Sequence, residues 1–510
     1  RKKTVGVPFA LMIHKFFPMA NAFFTSLGFN VVLTDPTSAE TIRLAQQTAQ
    51  GETCYPVKLI YGHMQQLIDQ KVDYIFLPTI HTMKHEKSRV KHNYGCVYMQ
   101  TAAASIAKAL DIESKGITLL SPVFDLDFGQ EAMASAMLGL SKILGIPKPF
   151  CAKALLSGAM AVRRHTAAVE KQGKALLATL KPEDKILVLI TRNYGVSDPI
   201  LNMGIPELLL ERGYKVITLS HLPGHALDIS DEYDNLYYPF GQHILSGAKL
   251  IAHHPNLYAV YLTNHGCGPD TMLSHLFKQE MGDKPYLQIE VDEHFSNVGV
   301  ITRIEAFLNS LNHRPVEVLP KDFVLEQVDI RPCHLPAVPE KDFPLWLPPL
   351  GEYTASLTGY FRAQGVDAHA LPHLSAHALS LGCAETSAKE YLPFPALLGG
   401  ILAQQEADPA PAQFLIPQTR GAEADGQYAR VIRAVLDRRG NQSAKLVSPM
   451  LETLPATAQD RDALFRALLA GDILYAAPAA MRAGIAAAWD TLPGWAQLHK
   501  AAVEIGRCPA

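Results

Sequence analysis

A continuous apolar run at residues 257–262 leads into Thr263-Asn264-His265-Gly266-Cys267-Gly268-Pro269-Asp270, and a stretch with helical spacing follows from Thr271 to Phe277. A short apolar run without alternation predicts a strand buried on both faces, and such strands belong to parallel sheets covered by helices. The turn between strand and helix then carries Cys267 between Gly266 and Gly268, where the backbone can come close to something bulky. In an open α/β sheet, ligands bind in the crevice beyond the carboxyl ends of the strands. Cys267 is therefore the natural origin of a site, and every other cysteine is judged by whether it could reach the same crevice.

The same texture recurs along the chain. Residues 5–35 read as strand, helix, strand, with Gly28 as the helix stop. A polar helix to residue 50 and the turn Gly51-Glu52-Thr53-Cys54-Tyr55-Pro56 come next, and Pro56 suits the first turn of a helix over 57–69. Short buried strands are expected at 74–78 and 117–120, separated by a long loop over 81–95 that ends in Cys96 and by an alanine-rich helix over 101–110. After a helical region at 128–180, strands are expected at 186–190, 216–219, 258–262 and 287–291, with helices at 205–212 and 302–311. Alternation of this kind predicts an α/β fold of tandem doubly wound parallel sheets.

At 510 residues the chain is too long for one ordinary domain. The expected divisions are a first α/β domain at 1–127, a helical connection and second α/β domain at 128–312, a proline-rich linker at 313–342, and a third α/β domain at 343–510. The composition is 48% hydrophobic and 19% charged with a net charge of −3, which describes a globular protein with real cores and no basic stripe for nucleic acid. No apolar run reaches the roughly 18 residues of a membrane helix, and no signal peptide opens the chain. Seven cysteines, far apart and odd in number, do not make a disulfide framework and favour a reducing cytoplasm. The chain opens on Arg1 rather than a methionine, which suggests a piece of a longer or processed protein.

The third domain reads as a copy of the first. Val5-Gly6-Val7-Pro8 finds a partner in Leu345-Trp346-Leu347-Pro348, and Phe24-Thr25-Ser26-Leu27-Gly28 in Phe361-Arg362-Ala363-Gln364-Gly365. At the same spacing, Cys54-Tyr55-Pro56 falls on Tyr391-Leu392-Pro393. Ile75-Phe76-Leu77-Pro78 pairs with Leu415-Ile416-Pro417, and Leu119-Leu120-Ser121-Pro122 with Leu446-Val447-Ser448-Pro449.

Cys54, Cys96 and Cys267 each precede a helix. The partial positive charge of a helix N-terminus lowers a thiol's pKa and favours an anionic cluster, and three thiolates on separate loops of two domains could converge in the cleft between them. They are one ligand short of the four usual for an iron–sulfur cube, which would leave one iron open. A zinc site of Cys54, Cys96, Cys267 and His265 is a second reading. Taken singly, each cysteine reads as well as a buried thiol, which is how Cys151, Cys333, Cys383 and Cys508 are read.

Several motifs bear on this choice: Glu52-Thr53-Cys54-Tyr55-Pro56-Val57-Lys58-Leu59, His92-Asn93-Tyr94-Gly95-Cys96, Asn202-Met203-Gly204-Ile205-Pro206-Glu207, His265-Gly266-Cys267-Gly268-Pro269-Asp270, Asp292-Glu293-His294-Phe295-Ser296 and Thr302-Arg303-Ile304-Glu305-Ala306-Phe307. Through them the first 312 or so residues resemble the cysteine-containing region of the large activase-related proteins of the 2-hydroxyacyl-CoA dehydratase superfamily. The resemblance implies flavodoxin-like domains and an oxygen-sensitive [4Fe-4S] cluster on Cys54, Cys96 and Cys267, which some relatives expand to a double cubane, [8Fe-9S]. It implies low-potential electrons from an ATP-hydrolysing iron–sulfur activator, in the fused proteins upstream on the same polypeptide. It also implies that the electron passes to an acyl-CoA or another small molecule; in the dehydratases it enables loss of water from a 2-hydroxyacyl-CoA. A homo-oligomer is expected. A non-catalytic scaffold that docks the activator is the alternative from another class.

In the third domain the chain departs from the pattern. Related modules often carry Lys-Glu-Cys-x-Pro and Gly-Pro-Cys-Arg-x-Gly-Gln-Tyr, where this chain has Lys389-Glu390-Tyr391-Leu392-Pro393 and Gly421-Ala422-Glu423-Ala424-Asp425-Gly426-Gln427-Tyr428. Tyrosine and carboxylate are poor substitutes for thiolate, so this module is read as one that kept its fold and lost its own cluster. Arg192, Asn193, Glu293 and His294 follow strand ends and could line the cleft, with His265, Gly266 and Gly268 beside Cys267. Lys84, Lys87, Arg89 and Lys91, with His81, His85 and His92, make a basic loop that could attract a CoA phosphate or the acidic face of a reductase.

Overall fold

The computed structural model describes residues 2–84, 87–90, 93–181, 184–294, 296–315, 324–325, 327–332, 334–419, 421, 424–450, 458–484 and 500. His85, Lys91, His92, Phe295, Cys333, Ala422, Glu423 and Cys508 lie outside the described residues. The chain packs as two compact units, residues 1–332 with 421–423, and residues 333–420 with 424–510.

The first unit begins with β1 (Thr4–Val7), α1 (Ile13–Ser26), β2 (Asn30–Leu33), α2 (Ala39–Thr48), α3 (Tyr55–Asp69), β3 (Tyr74–Phe76), β4 (Thr79–Thr82), α4 (Val97–Ala109), β5 (Thr118–Leu120) and β6 (Val123–Asp125). Two helices, α5 (Gln130–Leu144) and α6 (Lys148–Ala178), lead to β7 (Ile186–Ile190), α7 (Asn193–Ser197), α8 (Ile205–Glu211) and β8 (Lys215–Thr218). Then come α9 (Pro239–His253), β9 (Leu257–Asn264), α10 (Gly268–Met281), β10 (Leu287–Val291) and α11 (Asn297–Asn312). The second unit holds β11 (Leu345–Leu347), α12 (Tyr353–Ala363), β12 (Ala368–Ala370), α13 (Ala376–Ala384), α14 (Pro393–Ala407), β13 (Ala412–Leu415), α15 (Tyr428–Arg438), β14 (Ala444–Val447) and α16 (Ala458–Gly484).

Three four-stranded sheets result, in the orders β2-β1-β3-β5, β10-β9-β7-β8 and β12-β11-β13-β14, and all their pairings are parallel. Numbered within itself, each sheet has the order 2-1-3-4, so the fold is the tandem doubly wound α/β architecture that the alternation predicts. Every residue of β9 is buried, as an apolar run without alternation requires.

One element escapes a reading by periodicity. The stretch expected as a loop from residue 81 begins inside β4, which pairs with β6 in a small parallel sheet beyond β3 and β5. Pro78 and Pro122 interrupt the longer strands because proline donates no ladder hydrogen bond, but Leu77 N still donates to Leu120 O at 3.1 Å and Thr79 N to Pro122 O at 3.1 Å. A bridge from Thr82 to Tyr94 then brings the chain back toward Cys96.

Helix α3 crosses α2 at Gly62, where a Cβ would lie 2.1 Å from the Thr41 carbonyl oxygen. Helix α14 crosses α13 in the same manner at Gly399, where a Cβ would lie 1.9 Å from the Ala378 carbonyl oxygen. Ser38 caps α2 and Ser375 caps α13, each through its side chain. These residues stand at one constant spacing in sequence, the spacing that separates Cys54 from Tyr391. The proline-rich stretch is not all linker: Ser448 N donates to Pro336 O at 2.7 Å, and Gln413 Nε2 to Glu340 O at 2.8 Å, on the third sheet.

Candidate functional site

Three helices of the first unit start at cysteines. Cys54 is the residue before α3, Cys96 before α4 and Cys267 before α10, all with extended backbone and no side-chain capping bond. Pro56 and Pro269 sit in the first turns of α3 and α10, where a missing N–H costs nothing. Gly266, with φ of 71°, turns the chain from β9 back to Cys267, and its missing Cβ would stand 3.8 Å from Cys54 Cα. The loops of Cys54 and Cys267 therefore touch through the glycine. Gly95 has a similar duty beside Cys96, since a Cβ there would lie 2.6 Å from the Ile80 carbonyl oxygen.

The three thiols feel one another: Cys54 interacts electrostatically with Cys96, and Cys267 with Cys54. Each retains some accessible surface, yet the crowding of protein atoms round the sulfurs decides their acidity. Burial, with Cys96 next to it, pushes the Cys54 thiol up to about 12. Burial likewise raises Cys96, and it raises Cys267 well above the ordinary thiol range although Arg192 pulls the other way. The helix N-termini are where the sequence places them, but the lowered pKa expected from them is overturned. A helix end is worth about 0.3–1 kcal/mol, whereas full desolvation of a charged group shifts a pKa by up to roughly 3–5 units.

Arg192 is the most committed neighbour. It ends the turn after β7, and its Nη1 and Nη2 donate to Asp270 Oδ2 and Oδ1 at 2.8 and 2.7 Å. Nη2 also stands 3.3 Å from Cys267 Sγ. Both members of the pair are buried, at 7% and 2% exposure, and Tyr261 Oη approaches Asp270 Oδ1 at 3.4 Å. Asp270 lies in the first turn of α10 and Arg192 at the end of the neighbouring parallel strand, so both come to the same sheet edge as Cys267. Asp270 and Tyr261 are missed by sequence reasoning. The signal for Asp270 was its place three residues after Cys267.

The other expected residues separate. Glu293, after β10, pairs with Lys58 of α3 at 2.9 Å and joins the two sheets' loops on the cysteine side. Asn193 opens α7 and lines a cavity of about 300 Å³ with His14, His165 and His243. His265 is 72% exposed, with its Nδ1 3.2 Å from Glu290 Oε1, and the side chain of His294 is 82% exposed. Gly268 is the first residue of α10. Among the described residues no group of three or more His, Cys, Asp or Glu is close enough to hold one metal ion, so neither Cys54, Cys96 and Cys267 nor the Cys₃His set of the zinc reading is assembled round a single ion. In the basic loop, Arg89 is engaged by Asp228 at 3.0 Å and Asp231 at 2.6 Å, which leaves it less able to attract an outside anion. Among the described residues, Thr53 Oγ1, Asn264 Oδ1 and Glu293 Oε2 are buried without a hydrogen-bond partner. The first two adjoin Cys54 and the Cys267 turn.

Among the described residues no helix is long and apolar enough to cross a membrane. A comparison with curated proteins found no match. Among solved structures the chain is similar to the SBP FpvC from Pseudomonas aeruginosa in complex with Mn²⁺, at 12% identity and a TM-score of 0.20, over 61% of this chain and 98% of that one. A likeness with so low a TM-score carries no argument about fold or function. Residues 4–222 match the family described as the CoA enzyme activase uncharacterised domain (DUF2229), and this match fits the activase-related proteins of the 2-hydroxyacyl-CoA dehydratase superfamily.

Proposed function

We propose that the first unit is an iron–sulfur component that binds a [4Fe-4S] cluster through Cys54, Cys96 and Cys267, takes low-potential electrons from an ATP-hydrolysing activator, and passes them to an acyl-CoA or other small molecule. One observation supports it above the rest: three cysteines from loops of two sheets stand at helix starts, Cys54 interacting electrostatically with each of the other two, with a buried arginine on the Cys267 sulfur. The donor set fits such a group. Three thiols raised by burial resist ionisation, so their thiolates need a multiply charged cation that helix ends do not equal. Beside these loops the Thr53 and Asn264 oxygens are buried without a hydrogen-bond partner, polar atoms that a bound group would satisfy.

The cluster would supply one-electron reduction at the iron that no cysteine occupies. The chain's own residues do the rest. Arg192, held by Asp270, donates to Cys267 Sγ and would draw electron density from that ligand, which raises a cluster's potential. Lys58 and Glu293 pin α3 to the loop after β10, so Cys54 and Cys267 keep their spacing.

Anaerobic reconstitution followed by iron, sulfide and zinc analysis tests the ligand set. Reduction followed by electron paramagnetic resonance, with and without activator and ATP turnover, tests the partnership. Zinc in place of iron and sulfide ends the cluster reading. Equal reduction with and without activator and ATP turnover ends the activator reading.

A further inference from the structure

The geometry points to a second binding site, in the second unit: a cavity for a small, largely apolar organic molecule that carries an amine or other hydrogen-bond donor and no free carboxylate. The cavity has a volume of about 590 Å³, within the range of small-molecule sites. It opens at the carboxyl ends of β11 and β13, the two central strands of the third sheet, from which the chain departs in opposite directions. That is the switch point where open α/β sheets bind ligands. Pro348 and Leu350 follow β11, Ile416 and Pro417 follow β13, and Leu397 of α14 and Leu468 of α16 close the sides.

The chemistry of the lining selects the ligand. Asp425 is the one charged side chain among the described lining residues, and Thr419 Oγ1 donates to its Oδ2 at 3.1 Å. Among the described residues no lysine or arginine lines the cavity to meet a carboxylate or phosphate. The Tyr353 hydroxyl donates to Asp472 rather than serving as the polar end. An apolar body fills the proline and leucine walls, and its donor faces Asp425. The concave shape and single carboxyl group favour this occupant over a second copy of the chain.

The test uses the full chain and 4-phenylbutylamine, 4-phenylbutanol and 4-phenylbutyrate as probes, with binding followed by calorimetry. The amine is expected to bind best and the butyrate least. Leu397→Trp and Leu350→Trp fill the cavity, and each should weaken the amine by roughly tenfold or more. Asp425→Asn should weaken the amine by roughly fivefold, the reach of a half-exposed ion pair, and leave the alcohol unchanged. The proposal is overturned by absence of saturable binding of both amine and alcohol, or by preference for the butyrate. It is equally overturned by unchanged amine affinity in tryptophan variants that melt like the native chain. A Leu397→Trp variant that instead changes oligomeric state in sedimentation gives the cavity mouth to a second copy and also overturns it. Should both tryptophan variants unfold, the amine-over-butyrate preference and its loss in Asp425→Asn decide alone.

Discussion

The first and third sheets have the same strand order and nearly the same supporting helices, yet their switch points differ. At the first sheet the space beyond the strands is packed by Leu11, Met12, Leu77 and Met99, leaving a cavity of about 20 Å³. At the third sheet about 590 Å³ stays open. Cys54 stands before α3, held near Cys96 and Cys267, while Tyr391 at the matching place before α14 is 47% exposed. Past Pro78 and Pro122 the first sheet grows a second small sheet that anchors the Cys96 loop. Past Pro417 and Pro449 the third makes, among the described residues, one bridge between Gln418 and Met450. A shared scaffold therefore holds two different ends. Which end becomes a candidate metal site depends on a few residues after the strands, not on the strands.

The largest effect expected along this divide is on iron. Cys54→Ala, Cys96→Ala and Cys267→Ala should each lose most of the iron and sulfide after anaerobic reconstitution, while Cys383→Ala, on the third sheet's side, keeps it. Full iron in all three single variants would erase the difference between the regions.

Next in size is the buried ion pair of Arg192 and Asp270 on the cysteine side. Arg192→Met leaves the Asp270 carboxyl group buried without its cation, and stability in urea should fall by about 3–5 kcal/mol. Arg192→Met with Asp270→Leu should recover most of that. A loss below roughly 1 kcal/mol for the single variant would mean the pair behaves as a solvated one.

A third difference concerns pH. His63 of α3 is fully buried between Thr34 and Thr37, and burial lowers its pKa from 6.5 to about 4. The matching place in α14 is Gly400. Between those values the unfolded chain binds a proton that the folded chain refuses, so stability falls as pH drops from 6.5 toward 4, by up to about 3 kcal/mol. Unfolding measured across that range should flatten in His63→Gln. An unchanged slope would remove His63 as the cause.

The smallest effect should be common to both regions. Gly62→Ala and Gly399→Ala each drive a methyl group into a neighbouring helix backbone, and each should cost about 1–3 kcal/mol. Thermal melts in which one variant is destabilised and the other is not would show that the two helix crossings, alike in geometry, are not alike in tightness.

Much of this was legible in the chain. The apolar run before Gly266-Cys267-Gly268 could only be a buried strand followed by a tight turn, and β9 and α10 lie there. Prolines two residues after Cys54 and Cys267 announced helix starts. The small sheet of β4 and β6 was not legible, because three- and four-residue strands beside a proline show no period. Nor was the ion pair of Arg192 and Asp270, whose members are far apart in sequence and meet only because β7 and β9 are neighbours. Ser38 with Ser375 and Gly62 with Gly399 were readable as residues, but their meaning lies in a backbone approach that no spacing reveals.

The sequence by itself determined which segments become strands and helices, because apolar period and helix-start chemistry are local. It also determined that Cys54, Cys96 and Cys267 stand at helix N-termini. The tertiary structure decided what those positions are worth. Sheet order brought the cysteine loops together, and the packing round them left the thiols only partly open to water. Desolvation, which no linear pattern encodes, then outweighed the helix ends and raised the thiol pKa values. Packing likewise decided that one switch point is filled and the other open, since volume depends on every side chain that reaches a space and not on those that name it in sequence.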